Sequence, residues 1–317
     1  MTQKNKGSIP FFFKLLLGII IFIVMFVIAI VFGAADTTVH DVWNAIFTNM
    51  NSQQISIIRE LRLPREVAAI FVGAALAVAG AIMQGMTRNP LADPGLLGLT
   101  AGANAALAIT MAFLPKVNYF GIMIACFIGA AVGSLIVFGI ASAKKGGFSP
   151  FRIVLAGAAV TGFLTAISEG VGIYFKISQN ISMWTSGGLV GTSWGQVKTI
   201  TPFIVVGILV TLFLARQLTI LSLNEEVAVG LGQNIPRIKA ILFVVIVLLA
   251  GAAVALVGNM AFLGLMVPHM VRGFVGTDYR FIIPMSAIFG ATFLLLADTL
   301  VVQLIYLMKH QLQRLLQ

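Results

Sequence analysis

Hydrophobic residues run along this chain in unbroken stretches of about 20, the length that carries a helix across the hydrocarbon core of a bilayer. They fall near 11–33, 66–86, 94–114, 118–143, 152–175, 197–215, 240–258, 261–275 and 281–308, the eighth being short and interrupted by proline. The pattern predicts an all-α, polytopic membrane protein, one transmembrane domain over residues 1–317, with nine crossings from a cytoplasmic N-terminus. A signal peptide shares the basic start at Lys4, Lys6 and Lys14. The first run is nevertheless long for a signal sequence, and Gly33-Ala34-Ala35 is only a weak cleavage match, so it reads as a retained helix.

Three polar stretches are longer than turns. Residues 36–66 include an amphipathic piece around Val42, Ile46 and Phe47. Residues 178–196, with Trp184 and Trp194, read as an interfacial or re-entrant element, since tryptophan favours headgroup depth. Residues 217–239 read as two short helices broken at Gly230-Leu231-Gly232 and at Pro236. Gly73-Ala74-Ala75-Leu76-Ala77-Val78-Ala79-Gly80 and Gly251-Ala252-Ala253-Val254-Ala255-Leu256-Val257-Gly258 share the pattern G-A-A-x-A-x-x-G. Small residues so spaced let membrane helices approach closely. Lying on helices that run in opposite directions, they suit either inverted halves or a general preference for small residues.

With 59% hydrophobic and 9% charged residues, the chain has too few polar side chains to cover a water-facing surface. The formal charge of +10 does not indicate a nucleic-acid partner, because the bases fall in the gaps between apolar runs. Twelve (Lys4, Lys6, Lys14, Arg88, Lys144, Lys145, Arg152, Arg216, Arg237, Lys239, Arg272, Arg280) map to the cytoplasmic side. Six (Arg59, Arg62, Arg65, Lys116, Lys176, Lys198) map outside, the bias of the positive-inside rule. Arg59, Arg62 and Arg65 form an outside cluster that runs against it.

Candidate chemistry is sparse. No Gly-Lys pair occurs, so there is no P-loop and ATP hydrolysis would have to come from a partner. His40, His269 and His310 are scattered, Cys126 lies within an apolar run, and neither a metal site nor a catalytic set emerges. Asn224 is placed to cap a short helix carrying Glu225 and Glu226 in its first turn, and Gly232 to end it. Such a helix is either a lever for a soluble engine or an inert connector. Glu169 is the acidic residue set well inside an apolar span; it faces a cavity or hydrogen-bonds a neighbouring helix.

Arg62-Leu63-Pro64-Arg65, Val72-Gly73-Ala74-Ala75-Leu76, Gly80-Ala81-Ile82-Met83-Gln84 and Asn89-Pro90-Leu91-Ala92-Asp93-Pro94-Gly95-Leu96-Leu97-Gly98 follow one another in the first half. Leu231-Gly232, Phe262-Leu263-Gly264-Leu265, Val267-Pro268-His269 with Arg272, and Leu296-Ala297-Asp298-Thr299 follow in the second. Together they resemble the FecCD family, the permease subunits of ABC importers for iron-siderophores, haem and vitamin B12. The resemblance implies ten transmembrane helices and a second permease subunit, identical or not. It also implies two ATPase subunits that carry ATP-Mg and an extracytoplasmic substrate-binding protein; no cofactor is held by the permease itself. Carried onto this chain, it makes Arg62 and Arg65 binding-protein docking residues, with headgroup phosphate binding as the alternative. Asn89 and Leu91, with Ser149 and Pro150, become the cytoplasmic gate, although Asn-Pro is also a plain turn former. Asn224, Glu225, Glu226, Gly230, Leu231, Gly232 and Arg237 become the ATPase-coupling segment, and Glu169 lies on the helix that lines the path.

From residue 301 the chain departs from the family pattern. The family continues with a small residue and Arg, a Glu-x-Pro-Val loop and a tenth helix; here Val301-Val302-Gln303 leads into a different tail. A frameshift after Leu300 and a natural short form are the two readings. The function expected is inward movement of an iron-siderophore or similar chelate, driven by a partner ATPase. An ion-gradient-driven secondary transporter is the alternative, and would require paired ionisable groups or broken helices at mid-membrane.

Overall fold

The structure, a computed structural model, describes residues 10–32, 38–48, 52–142, 150–186 and 188–315. Among them no strand occurs, and the helices are α1 (Phe11–Val31), α2 (Val39–Phe47), α3 (Gln53–Ile57), α4 (Leu63–Thr87), α5 (Leu99–Phe113), α6 (Tyr119–Ser142) and α7 (Pro150–Tyr174). They continue as α8 (Ser178–Ser186), α9 (Trp194–Phe213), α10 (Ala215–Leu223), α11 (Glu225–Gly230), α12 (Ile235–Val257), α13 (Leu263–Val275) and α14 (Tyr279–Leu315). Each of the nine apolar runs becomes a helix. Seven spans are long and apolar enough to cross a membrane, while α5 and α13 are shorter apolar helices.

Contacts between helix ends sort them into two sets. The ends of α4 and α13 and the starts of α1, α12 and α14 gather at one end, with α10 and α11. There Lys14 Nζ donates to the Phe274 carbonyl at 2.6 Å and the Tyr279 amide donates to Thr219 Oγ1 at 2.9 Å. At the other end Trp194 Nε1 donates to the Arg59 carbonyl at 2.8 Å, and the Asn259 amide to the Thr185 carbonyl at 2.9 Å. These are the Arg88 end and the Arg65 end below. The up-and-down threading expected from the sequence is the one observed.

The centre is α4, whose stretch from Val72 to Gln84 is buried throughout. It packs on α12, α13 and α14, while α12 packs on α4, α5 and α6. In each triplet, α4–α6 and α12–α14, a long helix leads through an interruption of the α-helix, which in the first holds a 3-10 turn at Pro94–Leu97, to a short helix and then a long one. The two G-A-A-x-A-x-x-G helices run antiparallel against each other, the arrangement of inverted halves. Small residues also let α4 approach its other neighbours closely: a β-carbon on Gly80 would overlap the Gly264 carbonyl of α13, and one on Gly73 the Gly290 carbonyl of α14.

Four features differ from the sequence expectation. The helix of α4 begins upstream, because α3 and a π-helical turn at Ile58–Arg62 run into it. Pro64 lacks an amide proton and its ring crowds the carbonyl four residues back, which a widened turn relieves. On α2, Val42 and Ala45 are the buried positions, against Ile30, Ile55 and Ile58, whereas Trp43, Ile46 and Phe47 face outward. Pro236 sits in the first turn of α12, where a missing amide costs nothing, rather than breaking a helix. Finally, α14 runs unbroken past residue 301 to Leu315, so the divergent tail continues as helix; its 37 residues make a rod of about 55 Å.

The connections 88–98 and 258–262 are also interrupted helix entries that the sequence did not announce. The first of them meets the start of α13 inside the bundle, where Asp93 accepts from the Gly95 amide at 2.6 Å and from the Leu265 amide. Burial pushes the Asp93 carboxyl above its ordinary range, while both amides pull it down.

Candidate functional site

At the Arg88 end, α4 stops when Arg88 turns left-handed (φ 54°), and its amide closes onto the Gln84 carbonyl. Asn89 follows in a tight turn, its Oδ1 accepting from the Leu91 amide at 3.0 Å. That bond fixes Leu91 outward, 67% exposed, beside a crevice bordered by Thr87, Ile153 and Val154. The Asn89–Leu91 turn therefore adjoins the first turns of α7, where Ile153 and Val154 lie. Pro150 is the first residue of α7. Ser149 lies outside the described residues.

The coupling segment folds as its residues dictate. Asn224 Oδ1 accepts from the Glu226 amide at 3.1 Å and caps α11, whose first turn carries Glu225 and Glu226. The helix ends as Gly232 takes φ +77°, its amide reaching the Val229 carbonyl at 2.8 Å and that of Gln233 the Ala228 carbonyl at 2.9 Å. Asn234 then caps α12, accepting from the Arg237 amide at 3.2 Å. Ala228 anchors α11 against Leu221 and Ile235. Val227, Val229 and Leu231 are left exposed, with open space over Gly230 and Gly232, and Glu226 and Arg237 are exposed beside them.

One carboxylate joins the two regions, a link the sequence did not suggest. Glu225 Oε1 accepts from Lys239 Nζ at 2.7 Å and from Arg88 Nη2 at 3.3 Å. It ties α11 to the start of α12 and to the residue before Asn89. The hydrogen bond from the Lys239 ammonium holds the Glu225 carboxyl below the usual range.

At the Arg65 end all three arginines of the outside cluster are engaged within the chain. Arg59 donates to the carbonyls of Ala45, Asn44 and Thr48 at the end of α2. Arg62, 8% exposed, donates from Nη1 to the Ile30 carbonyl at 2.8 Å and the Val31 carbonyl at 3.4 Å, closing the end of α1. A cation there meets the negative pole of the helix. Arg65 forms a two-pronged pair with Asp298 on α14 at 2.8 and 2.7 Å. Three-residue spacing puts Arg62 and Arg65 on adjacent sides of the helix start, one toward α1 and one toward α14. Asp298, which the sequence shows only as part of the Leu296–Thr299 motif, is Arg65's partner.

Glu169 lies on an exposed face of α7, five residues (about 8 Å) from the helix end at Tyr174. No cluster of three His, Cys, Asp or Glu side chains suited to a metal occurs among the described residues. Cys126 is buried.

The model of the FecCD transport family matches residues 21–313. The iron(3+)-hydroxamate import system permease protein FhuB of Bacillus subtilis (strain 168) is 44% identical over 298 residues, covering 94% of this chain and 77% of that protein. The Fe(3+)-citrate import system permease protein YfmD of the same organism is 40% identical over 285 residues, 90% of this chain and 85% of that one. Among solved structures, an inward-facing conformation described as a metal-chelate type ABC transporter superposes with a TM-score of 0.79. That likeness, at 24% identity over 93% of this chain and 91% of the other, shows the fold. The chain is thus a multi-pass membrane protein and belongs to the FecCD transport family.

Proposed function

We propose that this chain is one of two permease subunits of an ATP-driven importer that moves a ferric siderophore or related iron chelate into the cell. The Arg88 end then faces the cytoplasm, with the N-terminus, and two ATPase subunits that bind ATP-Mg dock on α11. The observation that carries this reading is the joint at Glu225. A short helix outside the bundle exposes Val227, Val229 and Leu231 and is bonded through Glu225 to Arg88, next to the Asn89–Leu91 turn. Apolar side chains exposed on a polar, water-facing segment mark a protein contact. Force on α11 passes through an ion pair and a helix end to the turn that holds Leu91 in its place.

In this scheme Asn89 and Leu91, with Ser149 and Pro150, form the cytoplasmic gate. Asn224, Glu225, Glu226, Gly230, Leu231, Gly232 and Arg237 form the coupling surface. The extracytoplasmic binding protein docks at the Arg65 end, where Arg65 keeps 24% of its side chain exposed and Arg62 holds α1 in position beneath it. Rim charges of this sort set docking rate and orientation more than affinity.

The test is purification of the tagged chain in mild detergent, followed by uptake in proteoliposomes. An ATPase should accompany it, a charged substitution at Leu231 should release that ATPase, and uptake should follow ATP and ignore a proton gradient. Gradient-driven uptake without a nucleotide-hydrolysing subunit would establish the secondary-transporter reading instead.

A further inference from the structure

An open cavity of about 430 Å³ lies where α7 meets α8 at the Arg65 end. Thr165, Ser168 and Glu169 line it from one face of α7, Ser178 and Ser182 from one face of α8, and Asn104 from α5. Gly172 allows α8 to lie this close, because a β-carbon there would press on Ser178 Oγ at 3.1 Å and Ile181 Cδ1 at 3.2 Å. In a chain with 9% charged residues, seven polar side chains around one cavity in a membrane helix bundle, Thr185 of α8 being the seventh, are a built feature. Glu169 is exposed to this space and pairs with no cation among the described residues. A carboxylate within an apolar span is kept at a cost, normally where it faces water, a partner or a passing ligand.

We propose that this cavity is a cargo subsite that selects by charge. It accepts neutral or cationic iron chelates that display hydrogen-bonding groups and disfavours polyanionic ones. The proposal rests on the importer reading above and names its substrate class. Hydroxyls both donate and accept, so a serine and threonine wall can meet polar groups of many shapes. An ionised carboxylate only accepts, and it repels every negative charge the cargo carries. Tris-hydroxamate chelates fit, because three singly charged arms neutralise a ferric ion. Tris-catecholate chelates do not, because six phenolates leave three negative charges over. Lys116 and Lys176 lie near this end of the chain but are not among the cavity's lining residues.

The test uses the whole transporter in proteoliposomes with its binding protein, measuring ATP-dependent uptake of radioiron as a neutral tris-hydroxamate and as a trianionic tris-catecholate. Wild type should favour the neutral chelate. Glu169→Gln should raise the anionic-to-neutral ratio by about tenfold or more, the release of three cargo charges from one carboxylate at roughly 7 Å in a wet cavity. Glu169→Asp should keep the wild-type ratio, and Ser182→Ala should lower uptake of both chelates without changing it. The binding protein's own preference cancels, since every variant uses the same one. An unchanged ratio in Glu169→Gln overturns the proposal. So does loss of the second permease from the purified Glu169→Gln complex, which would make Glu169 an interface residue. Absence of ATP-dependent uptake of either chelate by wild type would instead overturn the importer reading itself.

Discussion

Arg65 Nε and Nη2 meet the two carboxylate oxygens of Asp298 at 2.8 and 2.7 Å, clamping the start of α4 to the middle of α14 across 233 positions of sequence. Asp298 is 9% exposed, so removing the arginine leaves a nearly buried carboxylate without its partner. Arg65→Ala should lower stability by about 3 kcal/mol, the usual loss when one member of a buried pair is deleted. Asp298→Ala should cost a similar amount, and the double variant much less than the sum. Thermal unfolding of the detergent-solubilised protein reads all three. Additive losses would show that the pair does not act as a unit.

Arg62 makes a different prediction. Its guanidinium satisfies carbonyls at the end of α1, Ile30 at 2.8 Å among them. Arg62→Lys keeps the charge but loses the planar guanidinium whose Nη1 reaches both carbonyls. The expected cost is about 2 kcal/mol, the worth of one charge-assisted bond. The loss should be local, seen as faster amide exchange at the end of α1 while α12 stays protected.

The nine helices of the apolar runs were legible because lipid demands long apolar stretches; seven are long enough to span it, and most ends fall near their expected places, α4 beginning upstream and α14 running on to Leu315 being the exceptions. The short helix α11 was legible too, since Asn224 and Gly232 are local signals that act within a few residues of themselves. What was not legible depends on distant partners. Spacing places Arg62 and Arg65 on a helix start, yet nothing in it indicates that Ile30 and Asp298 receive them. Asp93 reads as part of a turn motif until α13 brings the Leu265 amide to it. On α2 three apolar side chains compete for one small patch, and only the position of Ile30 and Ile58 decides that Val42 wins. The joint at Glu225 needs Arg88, 137 positions away, to be seen at all.

Close helix approach gives a third prediction. A β-carbon on Gly80 meets the backbone of α13, which cannot move aside as a flexible side chain can, whereas one on Gly139 meets open space. Gly80→Ala should destabilise by about 3 kcal/mol, the upper part of the range for overpacking. Gly139→Ala should be neutral or stabilising by up to about 1 kcal/mol from helix propensity alone. Equal effects at the two sites would remove close packing as the reason for glycine at Gly80.

The joint at Glu225 should respond to pH in a defined direction. Its carboxyl is held below the ordinary value of 4.5, chiefly by the hydrogen bond from Lys239. A group depressed in the folded state contributes stability above its unfolded value and loses it as pH falls through the folded one. Amides of α11 should therefore keep their protection down to about pH 4.5 and lose it below, once intrinsic exchange rates are accounted for. Glu225→Gln should show lower protection at neutral pH and no such acid step. Because the group is about 38% exposed, the effect is confined to α11 and screened by salt.

In the importer scheme proposed above, the same joint would separate force transmission from docking. Arg88 touches Glu225 but not the exposed Val227–Leu231 surface, so Arg88→Ala removes the link to the gate turn while leaving the surface on which an ATPase would sit. The ATPase should still co-purify and hydrolyse ATP at close to the wild-type rate, while uptake per ATP falls several-fold. Arg88→Lys keeps the charge within reach of Glu225 and should recover most of the transport. A Leu231→Asp variant should instead lose the ATPase from the complex altogether. If Arg88→Ala transported normally, the route from lever to gate would have to run through α12 and α4 packing alone, and the ion pair would be reduced to a surface contact.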